Sequence, residues 1–312
     1  MLPRSTTVTI ATTSKGKRLR RWRSGERFIE GWILLAGILA VVILLGIVFF
    51  LVREGAPIFF HTSPWEFFSG TKWYPVSEPP TFGILPFFVS TMMITLVSTA
   101  IAIPIGLACA AYLAEVASPR VRAIVKPLVE LLAGIPSVVM GFIGLMLLSP
   151  LVQSTFNLNT GLTGFTAAIM LSMMSLPIII SVSEDALRAV PDDFKQASYA
   201  LGATRWETIR HVSIPAALSG ITAAVMLGVG RAIGETMTVL MVAGGALAVP
   251  HSPSEPMMPM TAAVASGIGN AVRGGLQYQA LFAIGLVLFV ITLGVNLIAA
   301  RVLERQKQKF AR

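Results

Sequence analysis

Six stretches of the chain are apolar over a length that matches a bilayer: residues 31–52, 82–114, 131–149, 163–183, 216–247 and 280–300. A spanning helix needs about 20 mostly apolar residues, so the pattern predicts six membrane helices. Between the fourth and fifth runs the pattern changes. Residues 184–215, EDALRAVPDDFKQASYALGATRWETIRHVSIP, are charged and amphipathic. Pro191 followed by Asp192 and Asp193 predicts a helix start, because proline suits the first turn and acids favour the positive end of the helix dipole. Phe194, Ala197, Ser198 and Leu201 then recur at i, i+3, i+4 and i+7 on one face. Gly202 suits the left-handed conformation that ends such a helix. Thr204 with Glu207 reads as a T-x-x-E capping box opening a second helix, which carries Trp206 and Ile209 towards Pro215. Neither short helix can bury its apolar face alone in water, so a partner protein or the lipid headgroups must cover it.

Composition and charge add topology. The chain is 54% hydrophobic and 12% charged, which places it in the membrane class. A net charge of +9 by itself would admit a nucleic-acid partner, but its placement argues against one. With the N-terminus in the cytoplasm, 20 of the 24 Lys and Arg fall inside, only Arg53, Lys72 and Arg273 fall outside, and Arg231 lies within a span. That asymmetry predicts a multi-pass protein of the plasma membrane with both termini cytoplasmic. The basic arm KGKRLRRWRSGER abuts the first span and reads as a topology signal that touches anionic lipid. The 22-residue first run exceeds the apolar core of a signal peptide, about 7 to 15 residues, and is expected to remain.

The expected organisation is an arm over 1–30, a first helix over 31–52, an outside loop over 53–81, a five-helix core over 82–301 that includes the 184–215 segment, and a tail over 302–312. The outside loop carries Trp65, Phe67, Phe68, Trp73 and Tyr74. It reads either as an aromatic belt at the membrane surface or as a gate or docking surface. Gly134-Ile135-Pro136-Ser137, with Gly141 and Gly144, permits either close helix packing or a gate. Cys109, the single cysteine, has no partner for an intrachain disulfide and reads as a small buried residue. His61, His211 and His251 lack ligand spacing, so no metal site is expected. No G-x-x-x-x-G-K-[ST] loop occurs, so ATP binding by that route is not expected in this chain.

The chemistry concentrates in the fifth run. Arg231 and Glu235 are four residues apart inside apolar sequence and, on a continuous helix, share a face. An ionised group at mid-bilayer costs on the order of 3 kcal/mol on the milder insertion scales, so such residues face a bundle interior or an aqueous path. Two readings stand: a mutually neutralising structural pair, or a station on a solute path. Arginine offers paired donors to a tetrahedral oxyanion. A neighbouring carboxylate can accept the proton that hydrogen phosphate retains at neutral pH and sulfate lacks. Glu130, near the inner end of the third run, is a weaker candidate: an interfacial carboxylate or a second path residue.

Gln196-Ala197-Ser198, three residues, Gly202, nine residues, then Val212-Ser213-Ile214-Pro215 resembles the EAA loop of ABC-importer permeases, with Gln for its first Glu and Ser for its second Ala. In that family the loop is the coupling helix that docks on the ATPase, which assigns Phe194, Gln196, Ala197, Ser198, Leu201 and Gly202 to that contact. Arg231-Ala232-Ile233-Gly234-Glu235-Thr236-Met237 and Glu130-Leu131-Leu132-Ala133-Gly134-Ile135-Pro136-Ser137 are similar to stretches of phosphate-importer permeases of the PstC type. The resemblance covers nearly all of 31–305. It implies an all-α membrane protein of six spans with the MetI-like core of type I ABC importers, and a transport subunit that makes and breaks no covalent bond. It further implies a PstA-type companion permease, a PstB-type ATPase dimer that binds ATP and Mg²⁺, and a PstS-type periplasmic phosphate-binding protein. Permeases of other oxyanion importers, for sulfate or molybdate, share the coupling loop. A gradient-driven transporter using Arg231 and Glu235 as a proton relay is the rival of another class.

Overall fold

The computed structural model describes the backbone of residues 15–310 and the side chains of residues 29–304. The side chains of the basic arm and of the end of the tail lie outside the described residues. The chain forms two compact units, Met1–Phe50 and Leu51–Arg312. The described residues of the first unit belong to one long helix, α1 (Lys15–Gly55), which runs from within the arm into the first span without a break.

In the second unit, a 3₁₀ turn (Ala56–Phe60), α2 (Pro64–Ser69) and a small hairpin of β1 (Trp73–Tyr74) and β2 (Thr81–Phe82) build an aromatic cap. The aromatic loop divides its residues between two environments. Phe67 and Trp73 are buried with Ile58, Phe82 and Phe87. Trp73 meets the rings of Phe82 and Phe87 edge-on at 5.7 and 5.2 Å, a favoured aromatic arrangement. Trp65, Phe68 and Tyr74 remain exposed.

Five helical segments are long and apolar enough to span, Ile29–Phe60, Leu85–Val116, Ser137–Phe156, Gly164–Arg188 and Leu276–Glu304, and a sixth is the bent pair Arg205–Ala216 and Leu218–Gly234. The second is α3 (Leu85–Ala111), prolonged by a π-helical turn Tyr112–Val116; it keeps Pro104 in its interior and half-buries Cys109. The fourth, α7 (Gly164–Arg188), packs along α3 and is the central element, the most deeply buried of these five segments.

Two of the expected spans are corrected. The third was placed at 131–149, but Gly134 and Pro136 interrupt it. A separate helix, α4 (Pro119–Ala133), capped by the Ser118 hydroxyl, buries none of its residues, and the spanning helix is α5 (Ser137–Ile143), a π turn (Gly144–Leu148) and α6 (Ser149–Phe156). Proline without an N–H at 136 explains the break. A Cβ on Gly141 would lie 2.7 Å from the Met241 sulfur and one on Gly144 2.9 Å from Met170 Cγ, so both glycines serve close packing. The fifth span was expected over 216–247, with Arg231 and Glu235 on one helix face. Instead α11 (Leu218–Gly234) ends at Glu235, whose backbone is extended, and α12 (Met237–Val242) starts anew. After α12 come α13 (Met260–Ile268) and the last helix, α14 (Leu276–Phe310).

The 184–215 segment folds as its pattern predicts. Helix α8 (Asp192–Ala200) follows Pro191, Gly202 takes φ +85°, and Thr204 begins α9 (Arg205–Thr208) with a complete capping box. A π turn (Ile209–Ser213) and α10 (Ile214–Ala216) lead into α11 through a 73° bend.

Candidate functional site

Two regions of the second unit gather the candidate residues: the elbow of α8 to α10, and the break after α11.

At the elbow, the face drawn from sequence spacing splits. Phe194, Gln196, Ala197, Leu201 and Gly202 are exposed, Leu201 at 89%. Ser198 turns inward instead, its hydroxyl 2.9 Å from that of buried Thr208, which ties α8 to α9. Lys195 reaches Glu115, in the π turn that ends α3, with 3.0 Å between nitrogen and oxygen. The Arg205 guanidinium donates to the Glu115 carbonyl. The elbow is thus held to the end of α3 while Phe194, Leu201 and Trp206 are left uncovered.

Beside it lies a charge cluster that spacing did not reveal. Glu184, fully buried near the end of α7, accepts from Lys126 of α4 at 2.6 Å through Oε2. Its Oε1 faces Arg122 and Arg188 at 3.6 and 3.8 Å. Lys126 also reaches Asp185 at 2.5 Å. Burial alone would lower the Lys126 pKa, but the hydrogen bonds and charges of Asp185 and Glu184 prevail and raise it above the usual ammonium value. The only local hint in the sequence is Glu184 and Arg188 at helical spacing. Their partners lie 58 or more positions upstream.

At the break, the structure corrects the expected Arg231–Glu235 pair. Because α11 stops at Gly234, Glu235 does not continue the helical face of Arg231, and among the described residues no carboxylate lies within 4.0 Å of the Arg231 guanidinium. Glu235 works locally: its Oε1 accepts from the Thr238 N–H at 3.3 Å and its carbonyl accepts from the Thr261 hydroxyl of α13 at 2.8 Å. The Thr238 hydroxyl donates to the Ser137 carbonyl at 2.9 Å, which joins this break to the one between α4 and α5. The two sequence stretches similar to phosphate-importer permeases therefore meet in space. Irregular backbone at membrane depth is tolerated where protein buries it or where it lines a cavity.

Arg231 is half-buried and its Nε is inaccessible and without a hydrogen-bond partner. The residue lines a cavity of about 540 Å³ between α11 and α14, which runs from Thr222 to Ile233 on one helix and from Thr292 to Leu303 on the other. Asn296 is a further polar group on its wall. Asn296 was missed in the sequence because an uncharged amide in an apolar run draws less notice than an arginine. Glu130 is not brought here. It is exposed on α4 and accepts from Ser181 of α7 at 3.4 Å.

Comparisons with known proteins follow the same lines. Residues 102–308 match the family described as "Binding-protein-dependent transport system inner membrane component". The chain is 37% identical over 278 residues to the "Probable ABC transporter permease protein YqgH" of Bacillus subtilis, with 88% of each chain covered. It is 34% identical over 312 residues to the "Phosphate transport system permease protein PstC" of Mesorhizobium japonicum, with 94% of each covered. Among solved structures, a bacterial ABC transporter that imports alginate matches with TM-score 0.60 at 18% identity, over 92% of this chain and 99% of that one. An inward-facing MetNI methionine transporter matches with TM-score 0.55 at 20% identity, over 70% and 93%. The likeness to these structures is one of fold: a MetI-like, all-α importer permease. The chain belongs to the family of inner-membrane components of binding-protein-dependent transport systems.

Proposed function

We propose that this chain is the permease subunit of an ATP-driven importer of inorganic phosphate. The observation that carries the reading is Arg231: a guanidinium inside a membrane helix, released from Glu235 by the helix break, with a buried unpartnered Nε beside a cavity. A cation kept at membrane depth without a protein counter-charge suits an anionic solute that completes it on passage. Relatives named as phosphate permeases support phosphate as that anion.

In this reading both termini and the α8–α10 elbow are cytoplasmic, and the aromatic cap faces the periplasm, where a PstS-type protein delivers phosphate. A PstA-type permease supplies the other half of the path. A PstB-type ATPase dimer, which binds ATP and Mg²⁺, seats its groove on Phe194, Gln196, Ala197 and Leu201. Closure of that dimer pushes α8, and the push has two routes. One runs through Lys195 and Arg205 to the end of α3, the other through α10 and the 73° bend to α11 and Arg231. Gly202 lets the elbow turn sharply, and the Ser198–Thr208 bond makes its two helices move together.

Reconstitution with these three partners tests the reading. ATP-dependent uptake of phosphate, not matched by sulfate or molybdate, is the expected result. Preferential uptake of either rival anion would move the substrate assignment, and uptake that persists without the ATPase would overturn the class.

A further inference from the structure

Glu235 does not stand beside Arg231 in the arrangement described above: it lies beyond the end of α11, its Oε1 accepts from Thr238, and it is not on the wall of the cavity that Arg231 lines. Yet Arg231 alone offers only donors, and a donor-only site favours any oxyanion of the right size. We propose that Asn296 of α14 is the second anion ligand and the specificity-determining residue: its amide N–H₂ donates to a phosphate oxygen while its carbonyl accepts the phosphate proton. This rests on the phosphate-importer reading.

The placement follows from helix arithmetic. Helices α11 and α14 are consecutive spans and run antiparallel, and the cavity follows both for the same number of residues, Thr222 to Ile233 and Thr292 to Leu303. Pairing the ends, Thr222 with Leu303 and Ile233 with Thr292, sets Arg231 opposite position 294, so Asn296 lies two residues further on, roughly 3 Å along the axis. The hydroxyl of Thr292, the cavity's other polar group at this end, already donates to the Leu288 and Phe289 carbonyls of its own helix. The Asn296 side chain is exposed on this subunit and makes no hydrogen bond among the described residues, and its amide is one of the few polar groups in the apolar run of α14. In hydrocarbon an amide without partners is disfavoured, so a ligand that supplies both an acceptor and a donor accounts for its presence. Hydrogen phosphate and dihydrogen phosphate supply both. Sulfate at neutral pH supplies only acceptors and leaves the Asn296 carbonyl unpaired, and a site built to pair a substrate hydroxyl rejects analogues that lack it.

The test measures binding of inorganic phosphate and sulfate to the assembled permease–ATPase complex in the absence of the binding protein, so that the latter's own selectivity does not intervene. The wild-type complex is expected to prefer phosphate. In Asn296→Leu, phosphate binding falls about tenfold, towards the level of sulfate, while sulfate, which loses only the amide donor, falls less. Asn296→Gln, which keeps both functions, retains part of the preference. An unchanged phosphate-to-sulfate ratio in Asn296→Leu overturns the proposal, including the case where only assembly with the companion permease suffers. Should that variant fail to assemble, monofluorophosphate decides on the wild-type complex. It carries fluorine in place of the hydroxyl, and binding as tight as phosphate overturns the acceptor role. If the wild-type complex neither binds nor imports phosphate, it is the phosphate-importer reading that fails; if it does both and Asn296→Leu keeps the ratio, only this inference falls.

Discussion

At Glu184 a fully buried carboxylate meets Arg122, Lys126 and Arg188, whereas at Arg231 a half-buried guanidinium meets no carboxylate among the described residues. Both lie in the same unit, and both helices touch α7 or are part of it. The contrast separates two uses of charge. A charge surrounded by opposite partners joins elements, here α4 to α7, and its attraction is spent inside the protein. A charge left open at a cavity wall holds its attraction in reserve for something that passes. In the proposed reading, that reserve costs the partial desolvation of a cation, and charges within membrane helices are rare for this reason.

Removing each charge should therefore have opposite signatures. Arg231→Ala is expected to give the largest effect, a loss of uptake of about a hundredfold, the scale for truncating one member of a desolvated charge pair. Assembly, read by co-purification of the subunits, should be unchanged. Glu184→Ala should instead act on stability. Arg122, Lys126 and Arg188 are partly open to solvent and Lys126 keeps Asp185, so the loss costs about 1–3 kcal/mol and lowers the thermal midpoint in detergent by about 5 °C. Uptake per assembled complex should fall far less than in Arg231→Ala. If Glu184→Ala left stability intact and abolished transport, the division between joining and reserved charge would be wrong.

How much of this was legible in the sequence follows from the range of the interactions involved. The elbow was readable because its determinants are local: Pro191, Gly202 and the Thr204–Glu207 box each act within four residues. Arg231 stood out as a charge in an apolar run. The helix break at Glu235 did not, since Arg231 to Met237 holds no proline and fits a helix. The break is held by Thr261 from α13 and by the Thr238–Ser137 bond, contacts 26 and 101 positions apart in sequence. The same reason hid the Glu184 cluster and the inward turn of Ser198. Helical spacing shows which side chains share a face, while the partner that covers the face comes from elsewhere in the chain.

The elbow supplies a third test, intermediate in size, because it holds both kinds of surface a few residues apart. Phe194 and Leu201 are uncovered, while Lys195 between them is bound to Glu115. Leu201→Asp should weaken capture of the ATPase about tenfold or more, as expected for a central apolar contact, and leave the permease fold unaltered. Lys195→Ala should leave ATPase capture nearly intact and lower the phosphate moved per ATP consumed, since it cuts one tie between α8 and α3. Equal effects of the two variants on ATPase capture would show that the face does not divide as described.

The smallest expected effect belongs to Thr204→Ala. Its hydroxyl accepts from the Glu207 N–H at 3.3 Å and donates to the Glu207 carboxylate at 2.8 Å, while its own N–H donates to that carboxylate at 2.7 Å, so the alanine keeps only the last of these bonds. Loss of an N-cap hydroxyl costs about 1 kcal/mol, roughly fivefold in local opening. Hydrogen exchange should show that increase in the amides of α9, with little change in α7. Because α9 begins directly after Gly202, such fraying loosens the elbow without touching its exposed face, and phosphate moved per ATP should drop modestly while ATPase capture stays the same. An exchange increase that spread into α7 would mean that the elbow and the Glu184 cluster open as one unit, so that the joined charges also belong to the moving part.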